Sequence, residues 1–261
     1  MKTSCSSWSY HRTFKSGDMD QLRWIEECAA LGLDGVELLS VHFQSTEKDY
    51  LRAVKKACAD RRLTIAMVSA GGRLTTSDDA MREKEVAELE RWLDVAAWMG
   101  APLLRFFCGK GAELEAGGKP LQDKVVDAMR RVAAAARERG IVAALENHGG
   151  TTADQLLSLH RDVGSEWLAF TLDTGNFPPV SAVGPQTYSS IEQCAPHAAI
   201  VHAKFFNVGA DGRDADFDWE RIHGILRKVG YNGFLSVEYE GKDADERNIM
   251  KRIASYLKTL R

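Results

Sequence analysis

The chain has 261 residues, 44% of them apolar and 27% charged, the composition of an ordinary soluble globular protein. Its 34 basic and 37 acidic side chains leave a formal charge of −3, so no general attraction to nucleic acid or an anionic membrane is expected. No apolar stretch is long enough for a signal peptide or a bilayer span. The five cysteines are scattered without a C-x-x-C pair, which argues against a disulfide framework and points to a reducing cytoplasm.

In chain order, residues 2–7 are short and polar but can form a first strand. Apolar residues at helical spacing run from Met19 to Leu31, with Asp18 as the expected N-cap and Gly32 as the stop. Strands are predicted over 34–39 and 63–68, separated by a helix over about 47–61. Ser77-Asp78-Asp79 caps a long helix that Gly100 ends, and residues 102–107 form the fourth strand. A glycine-rich loop with Gly109, Gly111, Gly117 and Gly118 then leads to a helix over about 121–139.

The fifth strand is the apolar run Ile141-Val142-Ala143-Ala144-Leu145, which reads as buried on both faces. It exits through Glu146-Asn147-His148 into Gly149-Gly150. An unpaired carboxylate there would be very costly in a packed core, so its presence implies a site holding a cation at the strand end. Thr152 opens a short helix to about Asp162, and residues 167–173 are the sixth strand. Asn176-Phe177-Pro178-Pro179 forces a loop. A short helix over 186–194, a strand over 199–205, a helix from Asp218 to Val229, a strand over 233–239 and a final helix over about 243–260 complete the chain.

Eight strands alternating with eight helices, at roughly 25 to 35 residues per unit, predict an α/β fold: a single-domain (β/α)₈ barrel over residues 1–261. An open doubly wound sheet is disfavoured, because no G-x-G-x-x-G joins a strand to a helix.

Barrel enzymes carry their sites at the C-terminal ends of the strands. The ionisable residues there are Glu37 from the second strand, Arg105 from the fourth and Glu146 from the fifth. Asp173 comes from the sixth, His202 and Lys204 from the seventh, and Glu238 and Glu240 from the eighth. One strand-end carboxylate is as readily an ion-pair partner as a ligand. Three carboxylates and an imidazole from four successive strands are different, because their convergence needs a cation. Oxygen-rich ligation with one nitrogen suits Mn²⁺, Mg²⁺ or Co²⁺, with zinc as a further alternative.

The motifs Leu145-Glu146-Asn147-His148, Leu172-Asp173-Thr174-Gly175-Asn176, Val201-His202-Ala203-Lys204 and Ser236-Val237-Glu238-Tyr239-Glu240-Gly241 resemble the strand-end motifs of the xylose isomerase-like barrels. That group includes sugar-phosphate and ketose isomerases and epimerases, inosose dehydratases and endonuclease IV. The resemblance implies that Glu146, Asp173, His202 and Glu238 are the metal ligands. Glu238 and Glu240 share a strand face. Glu238 lies deeper and is the better ligand, leaving Glu240 to meet substrate or a loop cation. Asn147 and His148 are expected on the substrate side, His148 as a hydroxyl contact rather than an ordinary loop histidine. Glu37 and Arg105 are weaker substrate contacts, since either could belong to a polar layer inside the barrel. Asn176 completes the substrate set, at a position where ketose 3-epimerases commonly carry histidine. Those enzymes also carry an arginine six residues after the seventh-strand histidine, where Val208 stands.

Such a site implies a divalent-metal-dependent isomerase or epimerase acting on a sugar, keto-sugar or related polyol through a metal-stabilised enediolate. Glu146 and Glu238 are the expected proton-transfer groups. Lys204 is expected to polarise the oxyanion, or else to bridge a neighbouring carboxylate. The alternative is a lyase of the inosose dehydratase or 3-keto-sugar type on the same site. A nuclease of the endonuclease IV type would need further histidines. His42 is a stray match, but the third strand supplies none. The intact ligand set argues against a non-catalytic barrel. A small-molecule substrate, no nucleic acid, no membrane and self-association into a homo-oligomer are the expected partner pattern.

Overall fold

In the computed structural model, eight strands close into one barrel in chain order. They are Lys2–Ser6 (β1), Gly35–Leu39 (β2), Thr64–Ser69 (β3), Leu103–Phe107 (β4), Val142–Glu146 (β5), Leu168–Asp173 (β6), Ala198–Phe205 (β7) and Phe234–Tyr239 (β8). The structure describes residues 1–180 and 183–260. Each strand falls within one residue of its predicted run at either end. Apart from the polar β1, the runs were legible because parallel strands covered on both faces are largely apolar. Between and after them come His11–Ser16 (α1), Gln21–Ala30 (α2), Lys48–Asp60 (α3), Asp79–Met99 (α4), Gly111–Glu138 (α5), Ala153–Val163 (α6), Pro185–Cys194 (α7), Trp219–Lys228 (α8) and Glu246–Leu257 (α9). The fold is a (β/α)₈ barrel. Among the described residues no helix is long and apolar enough to cross a membrane, and all five cysteines are buried thiols.

The chain packs as two compact units, Met1–Ala66 with Val201 onward, and Met67–Ile200. In the first, β1 pairs in parallel with β2 and β8, and β7 with β8. That register sets His202 opposite Ser236 and Lys204 opposite Glu238. In the second, β4 pairs with β3 and β5, and β5 with β6. Glu146 lies opposite Phe107 on one side and Thr171 on the other.

The helix ends follow local chemistry. The Asp78 carboxylate accepts from the backbone of Ala80 and Met81, and Gly100 closes α4 in the left-handed conformation. Thr152 and Gln155 form a reciprocal capping box at α6. Gly149 and Gly150 adopt φ of +61° and +75°, the left-handed turn by which the chain leaves β5.

Three expectations need correction. The N-cap of α2 is Asp20, whose side chain accepts from Arg23 N, and not Asp18. The expected glycine-rich loop is largely helical. The chain turns helical at Gly111, breaks at Gly118 with φ 56° and ψ −157°, and resumes, so within the helix only that glycine leaves helical geometry, while Gly109, ahead of the helix, has φ of +128°. Helix α1 was not expected, since it buries none of its residues and so has no apolar stripe to read. A distant carboxylate organises its first turn: Glu246 accepts from Arg12 N and Thr13 N, both at 3.0 Å, and from the Thr13 hydroxyl at 2.6 Å.

Candidate metal centre

In the first unit the candidate side chains project from β2, β7 and β8 and from Glu240 just past β8. The two carboxylate oxygens of Glu37 lie 3.1 and 3.0 Å from His202 Nε2, and Ser236 Oγ donates to Glu37 Oε2 at 2.6 Å. All three side chains are completely buried. The other ring nitrogen of His202, Nδ1, lies 3.5 Å from Glu238 Oε2. Lys204, itself buried, donates to Glu238 Oε2 at 2.5 Å and to Glu240 Oε2 at 2.9 Å. Burial pushes the Glu238 pKa up, but Lys204 and His202 outweigh it and hold the carboxyl well below the usual carboxylate range. Half-buried Glu240 also accepts from the Trp8 indole N–H at 2.6 Å.

Trp8 was not singled out from sequence, because it sits past the end of β1 in a stretch without periodicity. It borders a groove of about 550 Å³ lined by His11, Phe14, Val41, His42 and Phe43 among others. His42 stacks on Phe14 at 4.0 Å and contacts Ser7 Oγ at 2.8 Å. Burial, with His11 nearby, pushes its pKa down to about 4, so it is neutral near pH 7. Ser236 could have been found by parity. It is two residues before Glu238 and therefore on the same face, one layer deeper.

In the second unit Glu146 is held at both oxygens. Asn176 Nδ2 donates to Oε1 at 3.1 Å, and Arg105 Nε lies 3.1 Å from Oε2. Arg105 is buried, donates to the Ala70 carbonyl at 3.0 Å, and places its guanidinium 4.3 Å from the centre of the Phe107 ring. His148 is exposed and stacks on the same ring at 3.9 Å.

Asn147 departs from expectation. Rather than facing a substrate, it is fully buried and grips the backbone of Asp173. Its Nδ2 donates to the carbonyl and its Oδ1 accepts from the N–H, both at 2.8 Å. Asp173 Oδ1 in turn accepts from Gly175 N at 2.7 Å.

Glu146, Asp173, His202 and Glu238 each offer a ligand atom, and these atoms all lie within 4.8 Å of one another; all four residues are buried. Three buried carboxylates at such distances repel strongly in a low-dielectric interior. One divalent cation relieves that repulsion, and three oxygens with one imidazole nitrogen are a donor set for a hard or borderline ion. The residues present fit a metal. Four of the strand-end residues read from the sequence are thus brought together, while Glu37, Lys204, Arg105 and Asn176 each contact a member of the group.

Solved structures of similar fold include L-ribulose 3-epimerase, with 19% identity, TM-score 0.81 and coverage of 99% of this chain and 94% of that one. A D-allulose 3-epimerase from Methylomonas sp., solved in complex with D-allulose, has 17% identity, TM-score 0.80 and coverage of 100% and 97%. A probable 3-DHS dehydratase involved in petrobactin synthesis in Bacillus anthracis has 20% identity, TM-score 0.76 and coverage of 99% of both chains. At these identities the likeness is one of fold. The family model described as xylose isomerase-like TIM barrel matches residues 25–260. With the barrel closed in chain order and the candidate ligand set on its strands, the chain belongs to the xylose isomerase-like TIM barrel family.

Proposed function

We propose that this protein is a divalent-metal-dependent isomerase or epimerase acting on a sugar, keto-sugar or related polyol. The observation that carries the reading is the buried group of Glu146, Asp173, His202 and Glu238, with ligand atoms within 4.8 Å of one another. A bound divalent ion would supply Lewis acidity toward a substrate carbonyl and an adjacent hydroxyl. Mn²⁺, Mg²⁺ and Co²⁺ suit the donor set, and zinc is a further alternative.

The protein's own groups would manage the proton. Lys204 beside Glu238 keeps that carboxylate ionised and ready to accept one, while Arg105 and Asn176 fix the orientation of Glu146. One glutamate would take the proton from the carbon next to the carbonyl, and the other would return one to it. Lys204 also stands where it could stabilise negative charge on a substrate oxygen. Exposed His148 and half-buried Glu240 are the groups best placed to meet hydroxyls, and Glu37 reads better as a support for His202 than as a substrate contact.

A dehydratase is the second reading. It is favoured by Asn176 standing where ketose 3-epimerases commonly carry histidine, with its amide engaged by Glu146. Abstraction of the same proton followed by expulsion of a β-hydroxyl would give an enone.

Incubating the Mn²⁺-loaded protein with ketoses and keto-inositols in deuterated buffer separates the two readings. Exchange at the carbon beside the carbonyl supports the first, and a new enone absorbance supports the second. Glu146→Gln and Glu238→Gln should each lower the rate by about 10²- to 10⁴-fold. Neither exchange nor dehydration across the panel, with metal demonstrably bound, would sink both.

A further inference from the structure

Glu37 is an ionisable side chain with no exposure at all, yet it stands on β2 and reaches a histidine on β7. In the barrel order, β1 and β8 lie between those strands, so the contact crosses the barrel interior rather than joining neighbours in the sheet. Burying a carboxylate this way is costly unless it is well hydrogen-bonded. Its partners are specific: the Ser236 hydroxyl at 2.6 Å, and His202 Nε2 almost equidistant from both oxygens. An ionised carboxylate can only accept. With Ser236 donating to one oxygen, the nitrogen facing the pair must carry the ring proton. In the neutral ring Nδ1 is then the nitrogen with the lone pair, and it faces Glu238 Oε2 at 3.5 Å.

We propose that Glu37 is a positioning residue that fixes His202 as the Nε2–H tautomer, so that Nδ1 is the nitrogen presented to the metal, with Ser236 holding Glu37 in place. This rests on the reading of Glu146, Asp173, His202 and Glu238 as the metal centre, and assigns how one of those ligands is prepared. A carboxylate behind a ligand imidazole orients the ring, selects the tautomer and raises the basicity of the nitrogen on the metal. A glutamate that merely filled a polar layer of the barrel would have no effect on tautomer.

The test uses the full-length protein with ¹⁵N-labelled histidine, His202 being assigned by the signals lost in His202→Asn. In the metal-free wild type, at a pH where the His202 ring is neutral, long-range ¹H–¹⁵N spectra should show it protonated at Nε2. In Glu37→Gln the side-chain amide can donate to Nε2, so the proton should move to Nδ1. Mn²⁺ affinity by titration calorimetry should then fall by about 10- to 100-fold. Ser236→Ala keeps the carboxylate and should keep the Nε2–H tautomer with a smaller loss of affinity. It also serves if Glu37→Gln does not fold. A neutral wild-type ring protonated at Nδ1, or a folded Glu37→Gln that binds Mn²⁺ like the wild type, overturns the positioning role alone. A wild type that binds no Mn²⁺ overturns the metal reading and this one with it.

Discussion

At the scale of single residues, three of the four candidate ligands have a side-chain partner from another segment of the chain. Glu238 has Lys204, Glu146 has Arg105 and Asn176, and His202 has Glu37. The asparagine between Glu146 and His148 does something different. Asn147 satisfies both backbone groups of Asp173 at once, which ties the end of β5 to the end of β6 at the point where two of the four candidate ligands leave the sheet. Replacing it with alanine leaves a buried N–H and a buried carbonyl without that partner, each costing about 1–3 kcal/mol. Asn147→Ala should therefore lower stability by about 2–4 kcal/mol. Urea unfolding would show this as a lower midpoint with little change in slope. An unchanged midpoint would mean that the clamp contributes nothing.

At the scale of elements, local sequence chemistry placed most boundaries, and the misread ones turn on local backbone geometry or, for α1, on a distant partner. Capping residues and left-handed glycines ended α4 and α6 where their side chains and φ values require. The glycines at 117 and 118 read as a loop because glycine disfavours helix, yet only Gly118 departs from helical geometry. Its φ of 56° with ψ of −157° is a region essentially reserved for glycine, while a Cβ there would meet nothing closer than Pro120 Cδ at 3.9 Å. The cost of Gly118→Ala is thus backbone strain alone, of order 1–3 kcal/mol, without a steric clash. Calorimetry should record a lower melting temperature with activity retained at low temperature. A variant as stable as the wild type would show that the kink relaxes freely. Helix α1 is the opposite case, since nothing in residues 11–16 specifies it. Its amide donors are met by Glu246, 234 residues from Arg12.

At the scale of the whole molecule, a centre of three buried carboxylates and a histidine should make folding stability depend on the metal. A ligand that binds only the folded state stabilises it by about 2.7 kcal/mol at a free concentration of 100 times its Kd. For a chain of this size that corresponds to a rise in Tm of about 5–10 °C. Dialysis against a chelator should lower Tm by that amount, and added Mn²⁺ should restore it. A chelated protein that melts with the untreated one would argue that the cluster holds no ion.

The sequence by itself determined the eight strands, their order and the strand-end positions of Glu146, Asp173, His202 and Glu238. Continuous apolar runs mark strands covered on both faces, and alternation along a strand assigns side chains to one face. It also carried the motifs by which the family resemblance was seen, and the family model matches residues 25–260. Only the tertiary structure decided which groups support those candidate ligands. That Glu37 meets His202, that Trp8 meets Glu240 and that Asn147 turns away from the cluster to bind Asp173 backbone all depend on pairing between segments far apart in the chain. Periodicity and capping are properties of neighbouring residues. A hydrogen bond across a closed barrel depends on strand register and barrel closure, and neither is written in any local stretch.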